Sequence, residues 1–550
     1  METATPAQSA PTARRHAHAR TRGGPRPGVV IPWVLVGLGS ALRVRQYVFD
    51  RSLWNDEASL AINILGRSYA GLTRPLGVVQ GAPVGFLWLE KTATELLGPG
   101  EDALRLVPLL AGIVALVLFR GLVTRVLPPL GACVALALFA VAPSLVYYAS
   151  ESKQYGVDVA AAVALAWYLP WLLERPLTRR RCLAFGVTAA VLVWCSFPAA
   201  FVAGAVALVV VVALVRRGEW RVLPAFVAAC ALWGASFLVE YVVSLRDLHS
   251  NRALLGYWAF AFAPRPLAVH STIAWLARDV PSVAHVPFDL GALPLAAGLL
   301  VVGVVGLVWR RRAVGAFVLV LAGVVVVAGI AHAYPMADRM VLFALPFTFL
   351  VLAASLLVSR RTAVQLALVA LIVVVSVPAL GSAASAVVHP YTRTEVRGAY
   401  AFVEAHRQPG DGVLVEGEGI PAFLYYHRTL GVDADGVFRM MGSPTPCDNA
   451  AQLDQLRRWR RVWLVFATAP DSEAGHPIAE YLRAFGWVGR PTAAFYAPGP
   501  SGAVLLEVSP TPATAAPTVP APSWQPDPYG CLTVDLGNLA DAESVVGDGS

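Results

Sequence analysis

The sequence predicts an all-α polytopic membrane protein of about 11 transmembrane helices, with amphipathic helices in an external loop and a small C-terminal α/β external domain. Three observations carry this expectation. Of the 550 residues, 57% are hydrophobic and only 14% charged, with mean hydropathy +0.61, whereas a soluble domain carries about 25% charged residues. Apolar runs recur at lengths near the roughly 20 residues a spanning helix needs. Between the runs, arginines gather in short clusters, as the positive-inside rule requires of cytoplasmic loops. The net charge of +8 is thus a signal of membrane topology, and no nucleic-acid partner is expected.

The elements follow in order. Residues 1–28 are Ala/Pro/Arg-rich and read as a disordered cytoplasmic N-terminus. The first apolar run reads as an uncleaved span, since many more runs follow it. A transmembrane module covers 29–390, with apolar runs at 29–49, 103–124, 130–148, 157–174, 183–197, 199–215, 222–241, 291–309, 314–332, 341–358 and 363–387. With the N-terminus inside, Arg179-Arg180-Arg181, Arg216-Arg217, Arg310-Arg311-Arg312 and Arg360-Arg361 all fall in the cytoplasm. The loop 50–102, the stretch 149–156, the loop 242–290 and the C-terminal region then fall outside. The threading requires 183–215 to be two short spans broken near Phe197-Pro198.

In the loop 50–102, Ala61, Ile64, Leu65 and Leu72 repeat at helical spacing, as do Phe86, Leu89, Ala93 and Leu96. Two amphipathic helices on the membrane surface are expected, with a turn at Gln80-Gly81-Ala82-Pro83 between them. An external α/β domain is expected over 391–508. Its helices are placed at 394–407, 450–460 and 478–485 and its short buried strands at 412–415, 462–467 and 503–508. A Pro/Ala-rich tail closes the chain over 509–550. Cys133, Cys182, Cys195 and Cys230 read as packing residues. Cys447 and Cys531 are placed to pair if their region faces an oxidising space.

Charge concentrates where the runs leave the membrane. Asp56 and Glu57 follow the first run, in Trp54-Asn55-Asp56-Glu57-Ala58. The bland reading is first-turn charge on a helix start; the functional one is a pair of carboxylates facing a membrane-bound substrate. Arg43 and Arg45 near the outer end of the first run favour the second, because charge there is costly unless it faces a cavity. A second knot, Glu151-Ser152-Lys153-Gln154-Tyr155-Gly156-Val157-Asp158, mixes signs within two helical turns, and Asp158 lies one turn into a span. The chain has only two lysines, Lys91 and Lys153, in or beside these acidic stretches, which points to a role for a compact ammonium. Lys91 equally suits a pair with Glu95. Arg105, after Glu101-Asp102, reads as structural or substrate-binding. Arg339, in Asp338-Arg339, reads as a phosphate ligand or an interface anchor. No His/Cys cluster has metal-ligand spacing, and no nucleotide-binding loop occurs.

Taken together, these stretches resemble the GT-C superfamily of membrane glycosyltransferases, in particular the protein-mannosyltransferase-like group (glycosyltransferase family 39 and its bacterial relatives). The resemblance rests on Trp54-Asn55-Asp56-Glu57-Ala58 and on Gln80-Gly81-Ala82-Pro83-Val84-Gly85-Phe86-Leu87. It continues through Leu97-Gly98, Ala103-Leu104-Arg105-Leu106 and Tyr147-Tyr148-Ala149-Ser150-Glu151-Ser152-Lys153-Gln154-Tyr155, and ends at Asp338-Arg339-Met340. It departs at Lys153, where many relatives carry arginine, and at Ala82-Pro83, where Pro-Pro is common.

The resemblance implies a polyprenyl-phosphate sugar donor and a glycan, lipid or protein acceptor outside the membrane. It implies Asp56 as general base, with Glu57 as a further catalytic carboxylate and with Glu151 or Asp158 orienting the acceptor or holding a divalent cation (Mg or Mn). Lys153, Tyr155, Lys91, Arg105, Arg339 and Arg43 are the implied substrate-binding residues, and a single displacement implies inversion. The competing readings are a transporter or flippase of lipid-linked sugars and a non-catalytic scaffold. A transporter predicts repeat symmetry and mid-membrane polar residues, whereas here charge lies at the outer rim. The Arg-for-Lys and Ala/Val bias suggests a GC-rich bacterial genome, hence a plasma membrane with the site facing outward.

Overall fold

The computed structural model describes residues 27–431 apart from 79, 175 and 416–418, together with 437–439, 459–467, 493–496 and 502–507. The expected tail at 509–550, Cys447, Cys531, the helix expected at 478–485 and most of that at 450–460 lie outside the described residues.

The chain opens with α1 (Pro27–Val48). The first loop carries α2 (Asn55–Gly66) and α3 (Val84–Leu97). The bundle continues with α4 (Glu101–Val126), α5 (Pro129–Val141), α6 (Pro143–Tyr147), α7 (Tyr155–Leu173), α8 (Arg179–Leu192), α9 (Ala199–Arg217) and α10 (Leu223–Glu240). A π turn joins α10 to α11 (Arg246–Ser250), making one 28-residue helical run. α12 (Arg252–Tyr257) and α13 (Val269–His285) fill the second long loop. α14 (Leu293–Arg310), α15 (Arg312–Ile330), α16 (Leu345–Ala354), α17 (Thr362–Val375) and α18 (Val377–Val388) complete the bundle, and α19 (Val396–His406) and α20 (Ile420–Leu430) follow it.

Among the described residues, 7 helices are long and apolar enough to cross a membrane, or up to 9 if each bent pair counts as one span. The bent pairs are 129–150, broken at 57° before Pro143, and 362–388, broken at 62° before Val377-Pro378. Proline lacks the N–H that would continue the helix, which is why both breaks sit there. α1 and α8 fall outside that set. At 14 residues, α8 spans roughly 21 Å, short of the hydrocarbon thickness. The expected break near Phe197-Pro198 is present, with α8 ending at Leu192 and α9 starting after Pro198.

The two ends of the bundle differ in chemistry. Arg311 donates to the Val126 carbonyl at the end of α4 (2.8 Å). Arg217 donates to Leu173 at the end of α7 (3.1 Å), and Arg181 to Trp171 (3.0 Å). The arginine clusters therefore share one end, and the starts of α4 and α7 lie at the other, with the acidic stretches. Close packing holds the bundle between them. A Cβ on Gly303 of α14 would stand 1.9 Å from the Val351 carbonyl of α16, and one on Gly186 of α8 would stand 2.8 Å from Ala229 O of α10. Small residues allow such backbone approach, which replaces the absent hydrophobic drive within lipid.

The expected stripes of the first loop are split. Ala61 and Ile64 of α2 are buried, as are Phe86 and Ala93 of α3, but Leu72 lies past the end of α2 in a separate turn. Leu89 and Leu96 of α3 are exposed. They sit roughly 60–80° round the helix from the arc of Phe86, Glu90 and Thr94 that faces the protein.

Beyond the bundle lies a five-stranded sheet of order β2-β1-β3-β5-β4. Its strands are β1 (Gly412–Val415), β2 (Val437–Arg439), β3 (Arg461–Phe466), β4 (Ala493–Tyr496) and β5 (Gly502–Glu507). β1 pairs in parallel with β2 and β3, while β5 runs antiparallel to β3 and β4. Trp463 is fully buried and donates its indole N–H to Asp411 (3.1 Å). Val396, Tyr400, Val413 and Trp463 share one apolar cluster with Leu53, Ala58 and Ile64. The sheet and the first loop are therefore packed as one body.

Candidate functional site

The first turn of α2 separates two adjacent carboxylates. Glu57 points inward and is fully buried. Arg105, one turn into α4, grips both of its oxygens at 2.9 Å, and the Ser152 backbone N–H adds a third bond at 2.8 Å. Arg105 also donates to the carbonyls of Arg51 (2.6 Å) and Ser52 (3.1 Å). This clamp fixes the backbone ahead of Trp54. Burial pushes the Glu57 carboxyl up, but the Arg105 and Arg51 guanidiniums outweigh it and hold it below the usual range. Behind Glu57, Glu90 of α3 is buried without a partner; burial and the Glu57 charge keep it well above the usual carboxylate range.

Asp56, one residue earlier and 100° round the helix, is half-buried and faces a cationic group. Arg339 Nη2 lies 2.6 Å from its Oδ2, and the Gln80 amide donates to Oδ1 at 3.4 Å. Gln80 in turn accepts from the Lys153 ammonium. Burial raises the Asp56 carboxyl, but Lys153, Arg339, the Gln80 bond and Arg393 together hold it below its ordinary value. The buried Lys153 is shifted the other way. Burial lowers it and the Arg339 charge adds to that, while Asp56, Glu151 and Glu57 only partly compensate.

Arg339 is placed by an unusual backbone. Asp338 adopts φ +46°, a left-handed conformation that aspartate tolerates better than most residues. The guanidinium then donates Nε–H to the Tyr155 hydroxyl (2.9 Å) and lies over the rings of Trp54, Tyr155 and Trp258 at 5.3–5.7 Å. Arg393, just ahead of α19, also stacks on Trp54, 3.9 Å from the ring centroid. Glu151 is fully buried with neither oxygen hydrogen-bonded. Burial and Glu57 raise it, against Arg393, Arg339 and Arg51.

The structure thus gathers Asp56, Glu151, Lys153, Tyr155 and Arg339, with Glu57 and Arg105 directly behind them. Asp158 lies one turn deeper on α7, buried and with Oδ1 unpartnered. Two of the expected residues are elsewhere. Lys91 pairs with Glu95 (3.2 Å) and lies over Tyr69, because α3 turns that face away from the group. Arg43 is buried between α1, α4 and α5, where it donates to the carbonyls of Gly39, Phe139 and Ala140. These bonds, and the Phe139 ring at 5.6 Å, hold the guanidinium inside the bundle instead of at its mouth, although its Nε is left without a partner.

Sequence reasoning missed Gln80 as a bridge between Asp56 and Lys153, and it missed Arg51, Trp54, Trp258 and Arg393. Trp54 and Gln80 stood in quoted motifs and carried a signal; Arg393, far down the chain in a linker, carried none. Among the described residues, no three His, Cys, Asp or Glu side chains are grouped to hold a metal ion.

No family model and no curated protein matches the chain. Among solved structures, the chain is similar to ArnT from Cupriavidus metallidurans in the apo state, at 14% identity over 88% of this chain and 99% of that one, with a TM-score of 0.49. The same protein bound to undecaprenyl phosphate gives 13% identity over 87% and 97%, with a TM-score of 0.49. The Archaeoglobus fulgidus oligosaccharyltransferase in complex with Zn and sulfate gives 14% identity over 86% of this chain and 72% of that one, with a TM-score of 0.48.

Proposed function

We propose that the chain is a multi-pass membrane glycosyltransferase of GT-C type that takes a sugar from a polyprenyl-phosphate donor and passes it to a hydroxyl outside the membrane. The observation that carries this reading is the partly exposed Asp56 carboxylate set against the Arg339 and Lys153 cations at the mouth of the helix bundle. The end of the bundle bearing the arginine clusters faces the cytoplasm, which puts Asp56 and the sheet on the outer side.

In one displacement, the acceptor hydroxyl gives its proton to Asp56 as its oxygen bonds to the anomeric carbon. The bond from that carbon to the phosphate oxygen breaks on the opposite face, with inversion. The leaving lipid phosphate needs its charge balanced rather than a strong acid, and Arg339 and Lys153 supply that balance. A phosphate arriving at Arg339 and Lys153 competes with Asp56 for the same cations. Donor binding therefore releases the carboxylate and raises its basicity where the proton must go.

The test is transfer of label from a panel of polyprenyl-phosphate sugars to cell-envelope acceptors by the full chain in vesicles. Asp56→Asn is expected to cut transfer by at least about 100-fold with the fold intact. Label that crosses the bilayer while staying on its lipid would instead establish a flippase.

A further inference from the structure

Next to Asp56 lies a set of buried polar atoms that the proposed displacement does not use. Neither Glu151 oxygen has a hydrogen-bond partner, and the residue is fully buried. Around it, Trp54 Nε1, Arg51 Nε and Nη2, Tyr147 Oη and Arg393 Nη1 are also buried without partners. These groups are contiguous. Arg51 lies over the Tyr147 ring at 4.5 Å, and Arg393 faces both Trp54 (3.9 Å) and Tyr147 (5.9 Å). Arg51 is anchored by Ser150 Oγ (2.8 Å), and its Nη2 comes no nearer than 3.8 Å to Glu57. Leaving one buried polar atom unpaired is costly, and so many together mark a place for something that pairs them.

The mixture of donors and acceptors identifies the chemistry. A phosphate offers only acceptors and would be repelled by Glu151. A cation would satisfy Glu151 but meet Arg51 and Arg393. A neutral hydroxylated ring both donates and accepts: its hydroxyls donate to Glu151 and accept from Trp54 Nε1, Arg51 and Arg393. We infer that Arg51, Trp54, Tyr147, Glu151 and Arg393 form a subsite for a neutral saccharide beside Asp56, completed by an arginine from the segment entering the external domain. The subsite rests on the proposed function for its role, as the place where the transferred sugar ring sits, but not for its chemistry.

The experiment uses the full chain in nanodiscs and two lipid probes, polyprenyl phosphate alone and polyprenyl phosphate carrying a neutral hexose or pentose. Trp54→Phe removes one N–H and keeps an aromatic face; Glu151→Gln removes the charge and keeps the shape; Arg393→Ala removes the linker's contribution. Each is expected to weaken binding of the sugar-bearing lipid roughly tenfold and to leave binding of bare polyprenyl phosphate unchanged, whereas Arg339→Ala weakens both. Equal losses on both probes, or no loss on either, overturn the subsite. Hydrogen exchange over 147–154, with free neutral monosaccharides added, is the second readout. Protection in the wild type that is absent in Glu151→Gln, with neither lipid bound, keeps the subsite and removes the lipid-donor reading. No protection and no lipid binding removes both.

Discussion

Asp56 and Glu57 are neighbours in sequence with opposite fates, and the difference is angular. A helix turns side chains 100° per residue, so one carboxylate enters the Arg105 clamp while the other faces the mouth of the bundle. Glu57→Gln removes the charge that Arg105 is paired with, and breaking such a buried pair costs about 3–5 kcal/mol. A thermal melt in detergent should show a marked loss of stability for this variant, and little change for Asp56→Asn despite its lost activity. Lys153 sets a pH limit. Its ammonium is present below its lowered pKa and is lost as pH rises through it, earlier than for an ordinary lysine. The alkaline limb of kcat/KM should therefore come early in the wild type. In Lys153→Arg it should move to higher pH, since guanidinium stays charged. A profile between about pH 6 and 10 checks this, and coincident limbs in the two proteins would mean that Lys153 does not titrate in the rate.

At the scale of elements, the spans are held by backbone proximity as much as by apolar side chains. Gly303 is the sharpest case, with the Val351 carbonyl 1.9 Å from where a Cβ would be. Gly303→Ala forces α14 and α16 apart and should destabilise the bundle by about 1–3 kcal/mol, read as a lower melting temperature. Gly323 of α15 has open space at its Cβ position, and Gly323→Ala is the control that should not melt earlier. The bends at Pro143 and Pro378 act differently. They end a helix before the chain reaches the acidic end of the bundle, and the first of them hands the chain to the Tyr148, Glu151 and Lys153 turn that lines the site.

At the scale of the whole molecule, the sheet and the helix bundle meet over the site. Tyr426 of α20 accepts from the Leu53 N–H (2.9 Å) and donates to Glu101 (2.9 Å). Arg397 of α19 pairs with Asp50 and Glu101, and Ser52 bonds the backbone of Thr394 and Val396. The strand of chain leading to Trp54 and Asp56 is therefore held from above as well as by Arg105 below. Tyr426→Phe keeps the ring and loses both bonds. It should lower transfer severalfold with a smaller effect on melting, and unchanged transfer would show that the domain does not position the loop.

Composition and patterning by themselves determined that the chain crosses a membrane many times, which end bears the arginines, and where charge collects. Those properties are local sums of transfer free energy and charge, legible without knowing which helix touches which. Asp56, Lys153 and Arg339 could be singled out because costly residues at span ends need a reason to be there. What only the tertiary structure decided is the pairing of sites far apart in the chain. It sent Arg43 and Lys91 away, turned Glu57 into the anchor of Arg105, and brought Arg393 from the linker against Trp54. Each of those outcomes depends on the rotation and crossing of helices, which hydrophobic periodicity leaves undetermined to within the 60–80° that separates Leu89 and Leu96 from the buried arc of α3.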